Sequence, residues 1–307
     1  MILFNKIRIS VQKIVADDSK TFASSPRKFQ LKDWKEALVT TKDSIKDKRL
    51  GVLAAGVAYF STLAIFPAIA AGVAILGFAL SPAQLRAFFA SVETYLPSDI
   101  GNLITTQLEA ALKNPSSRVL IILFGLLISL FSLSGAVSNV ISAANAVYET
   151  TETRKFLKLR LASVLCILGG GVMLLIVLGL LILNQSFMES IGIPSFLAIF
   201  ILIIRWVVIA AVVAVGLSAF YRYAPDRQNR KWQWVTWGSC IATVIWLLGT
   251  ALFFIYAKYF AHFTESYSVF AGIIVLMTWL NLTAFAILIG AEINYRLENQ
   301  TRARTAE

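Results

Sequence analysis

Six apolar stretches decide what this chain can fold into. They run approximately over residues 51–80, 119–148, 161–187, 196–220, 234–257 and 269–293. Each meets the roughly 20 apolar residues that an α-helix needs to cross a hydrocarbon layer of about 30 Å. Inside a bilayer the backbone has no water to bond, so such stretches fold as helices that satisfy their own N–H and C=O groups. A membrane β-barrel would show segments of about ten residues alternating polar and apolar, and no such alternation is present. Composition agrees: 58% of the 307 residues are hydrophobic and only 15% are charged, against roughly 25% charged in a soluble protein. The expected fold class is all-α, a polytopic membrane protein with six transmembrane helices.

The formal net charge of +11 could be taken for a nucleic-acid signature, so the position of each charge matters. With six spans, the first 50 residues, the 149–160 and 221–233 connections and the tail 294–307 share one side and carry 23 Lys and Arg. The other side has four, Arg86, Lys113, Arg118 and Lys258. Such an imbalance follows the positive-inside rule and places both termini in the cytoplasm. The expected partners are the bilayer and anionic lipid headgroups on the cytoplasmic side, with no nucleic acid; a homo-oligomer or an envelope partner stays open.

Three segments lie outside the spans. Residues 1–50 form a basic, amphipathic N-terminal segment in which Leu3, Ile7, Val11, Ile14 and Val15 recur at helical spacing, as in a helix lying in the interface. Residues 81–118 read as an extracytoplasmic hairpin of two amphipathic helices broken at Pro97, either packed on the spans or closing over a cavity between them. Residues 294–307 form a cytoplasmic tail after the transmembrane domain 51–293.

Polar residues inside the spans carry the functional expectations, because intramembrane polarity marks either interhelical glue or a pathway. The second span holds Ser134, Ser138 and Ser142 with Asn139 and Asn145. Pro67, halfway through the first span, removes a backbone donor and is expected to kink or break the helix, and Tyr59 lies two turns before it. Arg205 sits either near mid-bilayer, where it needs a partner, or at the outer interface, where its side chain reaches headgroups. The candidate pathway is therefore Tyr59, Pro67, Asn139, Asn145 and Arg205. Glu292 is expected to cap the bundle beside basic residues of the 221–233 or 149–160 loop.

Chemistry for catalysis is sparse. There is one histidine, His262, and the two cysteines, Cys166 and Cys240, fall in different spans; no HxxxH, CxxC or phosphate-loop motif occurs. No cofactor, metal or catalytic residue is expected, and the chain does not read as an enzyme.

Several strings nevertheless resemble one family. Phe220-Tyr221-Arg222-Tyr223-Ala224-Pro225-Asp226 precedes Lys231-Trp232-Gln233-Trp234, Trp246-Leu247-Leu248-Gly249 and Gly290-Ala291-Glu292-Ile293-Asn294. Upstream stand Ala54-Ala55-Gly56-Val57-Ala58-Tyr59-Phe60 with Phe66-Pro67, and Ala144-Asn145-Ala146-Val147-Tyr148-Glu149 with Thr153-Arg154. In this order, over roughly residues 45–298, the set resembles the YihY/BrkB family of bacterial inner-membrane proteins. The resemblance implies six spans with both termini inside, and marks Tyr148, Arg154, Tyr221, Arg222, Pro225 and Glu292 as a cytoplasmic gate or structural motif. An older ribonuclease BN-like label attached to the family finds no metal-ligand set here.

The functional expectation is transport or export of a small solute or lipid without an ATPase of its own. The alternative is a structural or partner-binding membrane protein that organises lipids or an envelope complex.

Overall fold

The computed structural model describes residues 31–79, 84, 118–183, 188, 192, 194–227, 236–260 and 268–303. Among them there is no strand. Seven helices follow in order: α1 (Leu31–Asp47), α2 (Leu50–Ala79), α3 (Arg118–Val147), α4 (Phe156–Ile182), α5 (Ser195–Tyr223), α6 (Trp237–Phe260) and α7 (Ser268–Ala303). Helices α3 to α7 are each long and apolar enough to cross a membrane, and α1 with the first half of α2 makes a sixth candidate when this bent pair is counted as one. The amphipathic helix expected before residue 30 lies outside the described residues. So does the 81–118 hairpin, apart from Gln84 and Arg118.

Two helices, α7 in its length and α2 in its shape, differ from expectation. α7 continues to Ala303, beyond the expected end at Ile293, because its polar extension is held: Ile293 and Leu297 pack on Ala37 of α1. α2 runs through Pro67 as one helix. A membrane helix accommodates proline where local adjustments satisfy the freed backbone groups. The break falls instead at Lys48–Arg49, where α1 and α2 meet at 63° and Arg49 takes a left-handed φ of 51°.

Consecutive spans pack side by side from α2 to α7, and α7 closes the series against α2. The packing is closest at one end. Leu50, Ala54 and Val57 of α2 meet Ala143 and Val147 of α3, Tyr221 of α5, and Leu288 and Ala291 of α7 in one buried cluster. Small residues let the backbones approach, as interfaces in lipid require. A Cβ on Gly238 would overlap the Gly290 carbonyl, and one on Gly290 would overlap the Tyr221 hydroxyl and the Ala242 Cβ. The remaining surface is apolar on the outside: Leu127 and Ile128 of α3, Leu175 of α4, Val207 of α5 and Leu252 of α6 are all well exposed, as lipid-facing positions must be.

Candidate functional site

The end where α2 begins and α3 finishes carries a network of charged and polar groups, here termed the polar end. Its centre is Glu292 of α7, whose side chain is 0% exposed. Lys48, in the α1–α2 bend, places its Nζ 2.9 Å from Glu292 Oε2. Arg296, one turn further along α7, places its Nε 2.7 Å from Oε1. Lys48 also donates to the Val147 carbonyl at 2.7 Å, capping the end of α3, and pairs with Glu149 at 2.9 Å. Arg296 donates to the Ser44 hydroxyl of α1. One carboxylate thus ties the first, second, third and last helices together.

A second knot lies in the 148–155 connection. Arg154 forms a forked pair with Glu152, Nε to Oε1 at 2.6 Å and Nη2 to Oε2 at 2.7 Å, and donates to the Ala224 carbonyl at 2.9 Å, at the end of α5. Buried Asn145 donates to Glu152 at 2.9 Å and accepts the Asp226 backbone N–H at 2.8 Å. The Asp226 carboxylate in turn accepts from the N–H and hydroxyl of Thr153. Arg227 pairs with Glu298 at 2.7 Å, donates to the Tyr221 carbonyl, and lies 4.1 Å from the centre of the Tyr148 ring. The Tyr221 hydroxyl donates to the Ile287 carbonyl at 2.8 Å, and Pro225 is buried beside this turn.

These groups enclose an open recess of about 430 Å³, lined by Tyr148, Thr153, Asp226, Arg227, Tyr295 and Glu298 among others. The Tyr295 hydroxyl, donated to Glu149, together with Lys48 holds the Glu149 carboxyl below its usual range. The Arg154 guanidinium does the same to Glu152, which in turn raises the pKa of Arg154. Glu149 at the recess and Glu152 beside it are therefore already paired.

The network joins Asn145, Tyr148, Arg154, Tyr221 and Glu292, with Pro225 beside it. The other expected pathway residues lie elsewhere. Tyr59 is 51% exposed on the outer face of α2, its ring edge-on to Phe60. Pro67 is half-buried within α2. Asn139 donates to the Gly135 carbonyl one turn back at 3.0 Å. Arg205 donates to the Leu183 carbonyl at 2.8 Å, closing the end of α4, and its guanidinium lies 5.5 Å from the Trp206 ring. Arg222 lies over the Tyr223 ring at 5.4 Å. Lys48, Arg296, Arg227 and Tyr295 are members that sequence reasoning missed. The Glu292 and Arg296 spacing of four on a helix was a usable signal; the reach of Lys48 to residues 99 and 244 positions away was not.

Residues 41–307 match the model of a family described as Virulence factor BrkB. The chain belongs to this family. A ribonuclease-like protein, YfkH, of Bacillus subtilis is 27% identical over 252 residues, 81% of this chain and 90% of that protein. A UPF0761 membrane protein of Cronobacter sakazakii is 27% identical over 271 residues, 85% of this chain and 88% of the relative. Another UPF0761 membrane protein, of Idiomarina loihiensis, is 30% identical over 107 residues, 35% of each chain. No solved structure matches. Within this BrkB-family chain no three His, Cys, Asp or Glu side chains among the described residues are grouped to hold a metal ion.

Proposed function

We propose that this BrkB-family protein moves a small solute or lipid across the bacterial inner membrane without hydrolysing ATP, and that the polar end is its cytoplasmic gate. The observation that carries the reading is the burial of Glu292 between Lys48 and Arg296. Withdrawing ions from water costs several kcal/mol each, and well-packed apolar residues hold helices together as well or better. A charged latch across four helices supports a role in which those helices separate and the freed charges meet water or cargo. The adjoining recess, of about 430 Å³, is wide enough for a small molecule.

Flux from proteoliposomes loaded with candidate solutes or labelled lipids tests this, with Glu292→Gln and Lys48→Met as the variants. Transport that persists at the wild-type rate in both variants refutes the gate. A reporter fused after residue 307 tests the orientation: activity confined to the cytoplasm supports it, and periplasmic activity overturns it.

A second reading, a structural or partner-binding protein, draws on Asn139 and Arg205. Both spend donors on helix carbonyls, as interhelical or capping groups do. Deleting residues 81–118 separates the two: loss of a co-purifying partner with flux intact favours the structural role.

A further inference from the structure

Helix α1 has two unlike faces. Ala37, Thr41 and Ser44 are buried, with Ala37 against Ile293 and Leu297 of α7. At 100° per residue, Lys35, Lys42 and Lys46 fall within an arc of about 40°, almost opposite Ala37. All three are exposed, and among the described residues none of them is in an ion pair. Leu38 and Val39, each 53% exposed, flank this stripe. Asp43 and Asp47 are turned about 80° and 120° away from its centre on the same helical projection, so the outward arc carries bases and aliphatic carbons without an acid.

The setting of the helix says what covers that arc. α2 carries no charge over its 30 residues from Leu50 to Ala79, a length beyond the roughly 20 residues a span needs, while α1 leaves it at 63°. Exposed Arg49 stands at the joint, and exposed Val52 lies three residues on, where the outward apolar surface of α2 starts. The lysine stripe is thus held at the level where hydrocarbon gives way to headgroups, on a helix inclined towards the membrane plane. Lysines at that level lay their stems along apolar surface and direct ammonium groups to phosphate, and polybasic segments beside a span are drawn to anionic lipids.

We propose that α1 is an in-plane anchor whose Lys35, Lys42 and Lys46 seat on the phosphates of anionic lipids in the leaflet from which α2 departs, with Leu38 and Val39 entering between the headgroups. The proposal does not depend on whether the protein carries a solute.

Amide hydrogen exchange of the full chain in nanodiscs tests it, comparing pure phosphatidylcholine with a mixture containing 30% phosphatidylglycerol. Exchange within residues 31–47 is expected to slow by at least about fivefold in the anionic discs, and to return to the phosphatidylcholine rate in 0.5 M salt, where screening reaches about 4 Å. The Lys35→Gln, Lys42→Gln, Lys46→Gln triple variant is expected to lose the difference, whereas the corresponding triple arginine variant keeps it; unchanged exchange in α2–α7 verifies that both are folded. Equal exchange in the two kinds of disc, or a difference that survives the triple glutamine change, overturns the proposal. So does slowing in phosphatidylcholine discs on adding an RNA oligonucleotide or inorganic phosphate that matches the effect of phosphatidylglycerol.

Discussion

Replacing Glu292 by glutamine tests the energetics of the latch. The substitution keeps the shape and removes the charge that faces Lys48 at 2.9 Å and Arg296 at 2.7 Å. Breaking a buried pair costs about 3–5 kcal/mol when the remaining ion has no other partner. Here each cation retains one: Lys48 keeps Glu149 and the Val147 carbonyl, and Arg296 keeps Ser44. Lys48 is 14% and Arg296 32% exposed, so water shares the burden. The expected loss is therefore below that range, about 2–3 kcal/mol. It is measured as equilibrium unfolding in mild detergent titrated with dodecyl sulfate, followed by tryptophan fluorescence. The informative companion is Lys48→Met, Glu292→Leu, Arg296→Met. It removes all three charges, and the chief group left without a partner is the Val147 carbonyl, since Ser44 donates to Thr40. An apolar triad of this kind is expected within about 1 kcal/mol of the parent, stable yet without a latch. A single variant as stable as the parent, or a triple variant less stable than the single one, refutes the reasoning.

Other expectations follow from the same contacts. Asn145→Leu leaves the Asp226 N–H without its acceptor and takes one donor of several from Glu152, so unfolding in the same titration should come about 1–3 kcal/mol earlier. Gly238→Ala pushes a methyl into the Gly290 backbone and should cost about 1–3 kcal/mol, seen as a lower melting temperature in detergent. Glu149 and Glu152 have depressed pKa values in the folded protein, so their contribution is complete above the ordinary value of 4.5 and disappears as pH falls through the lower folded value. The melting temperature should accordingly hold from neutrality to about pH 5 and decline below it. The Glu149→Gln, Glu152→Gln double variant should start lower and converge with the parent in acid.

The spans were legible because length and apolarity are local properties, and the bilayer imposes one answer on them. Glu292 was legible too, as a charge closing an apolar run. The identity of its partners was not, since the bend at Arg49 and the closure of α7 on α2 decide which of many basic residues arrives beside it. Asn139 stood out as an amide among serines, and its bond to the Gly135 carbonyl four residues earlier is one that any such side chain in a helix can make. Pro67 drew attention as the place where the first span would bend, yet the bend lies at a left-handed arginine that carries no sequence signature. The polar extension of α7 beyond Ile293 was missed for a related reason: its stability comes from α1 and the loops, not from its own composition.

The separation of Lys48 and Glu292 by 244 positions also has a meaning in time. At about 5–20 residues per second of synthesis, the lysine waits roughly 12 to 50 seconds for its carboxylate. Until the last helix is inserted, the bend before α2 carries a cation whose buried counter-charge, Glu292, does not yet exist. Closure of the latch thus waits for α7, and a protein truncated before that helix would hold Lys48 by Glu149 and the Val147 carbonyl alone.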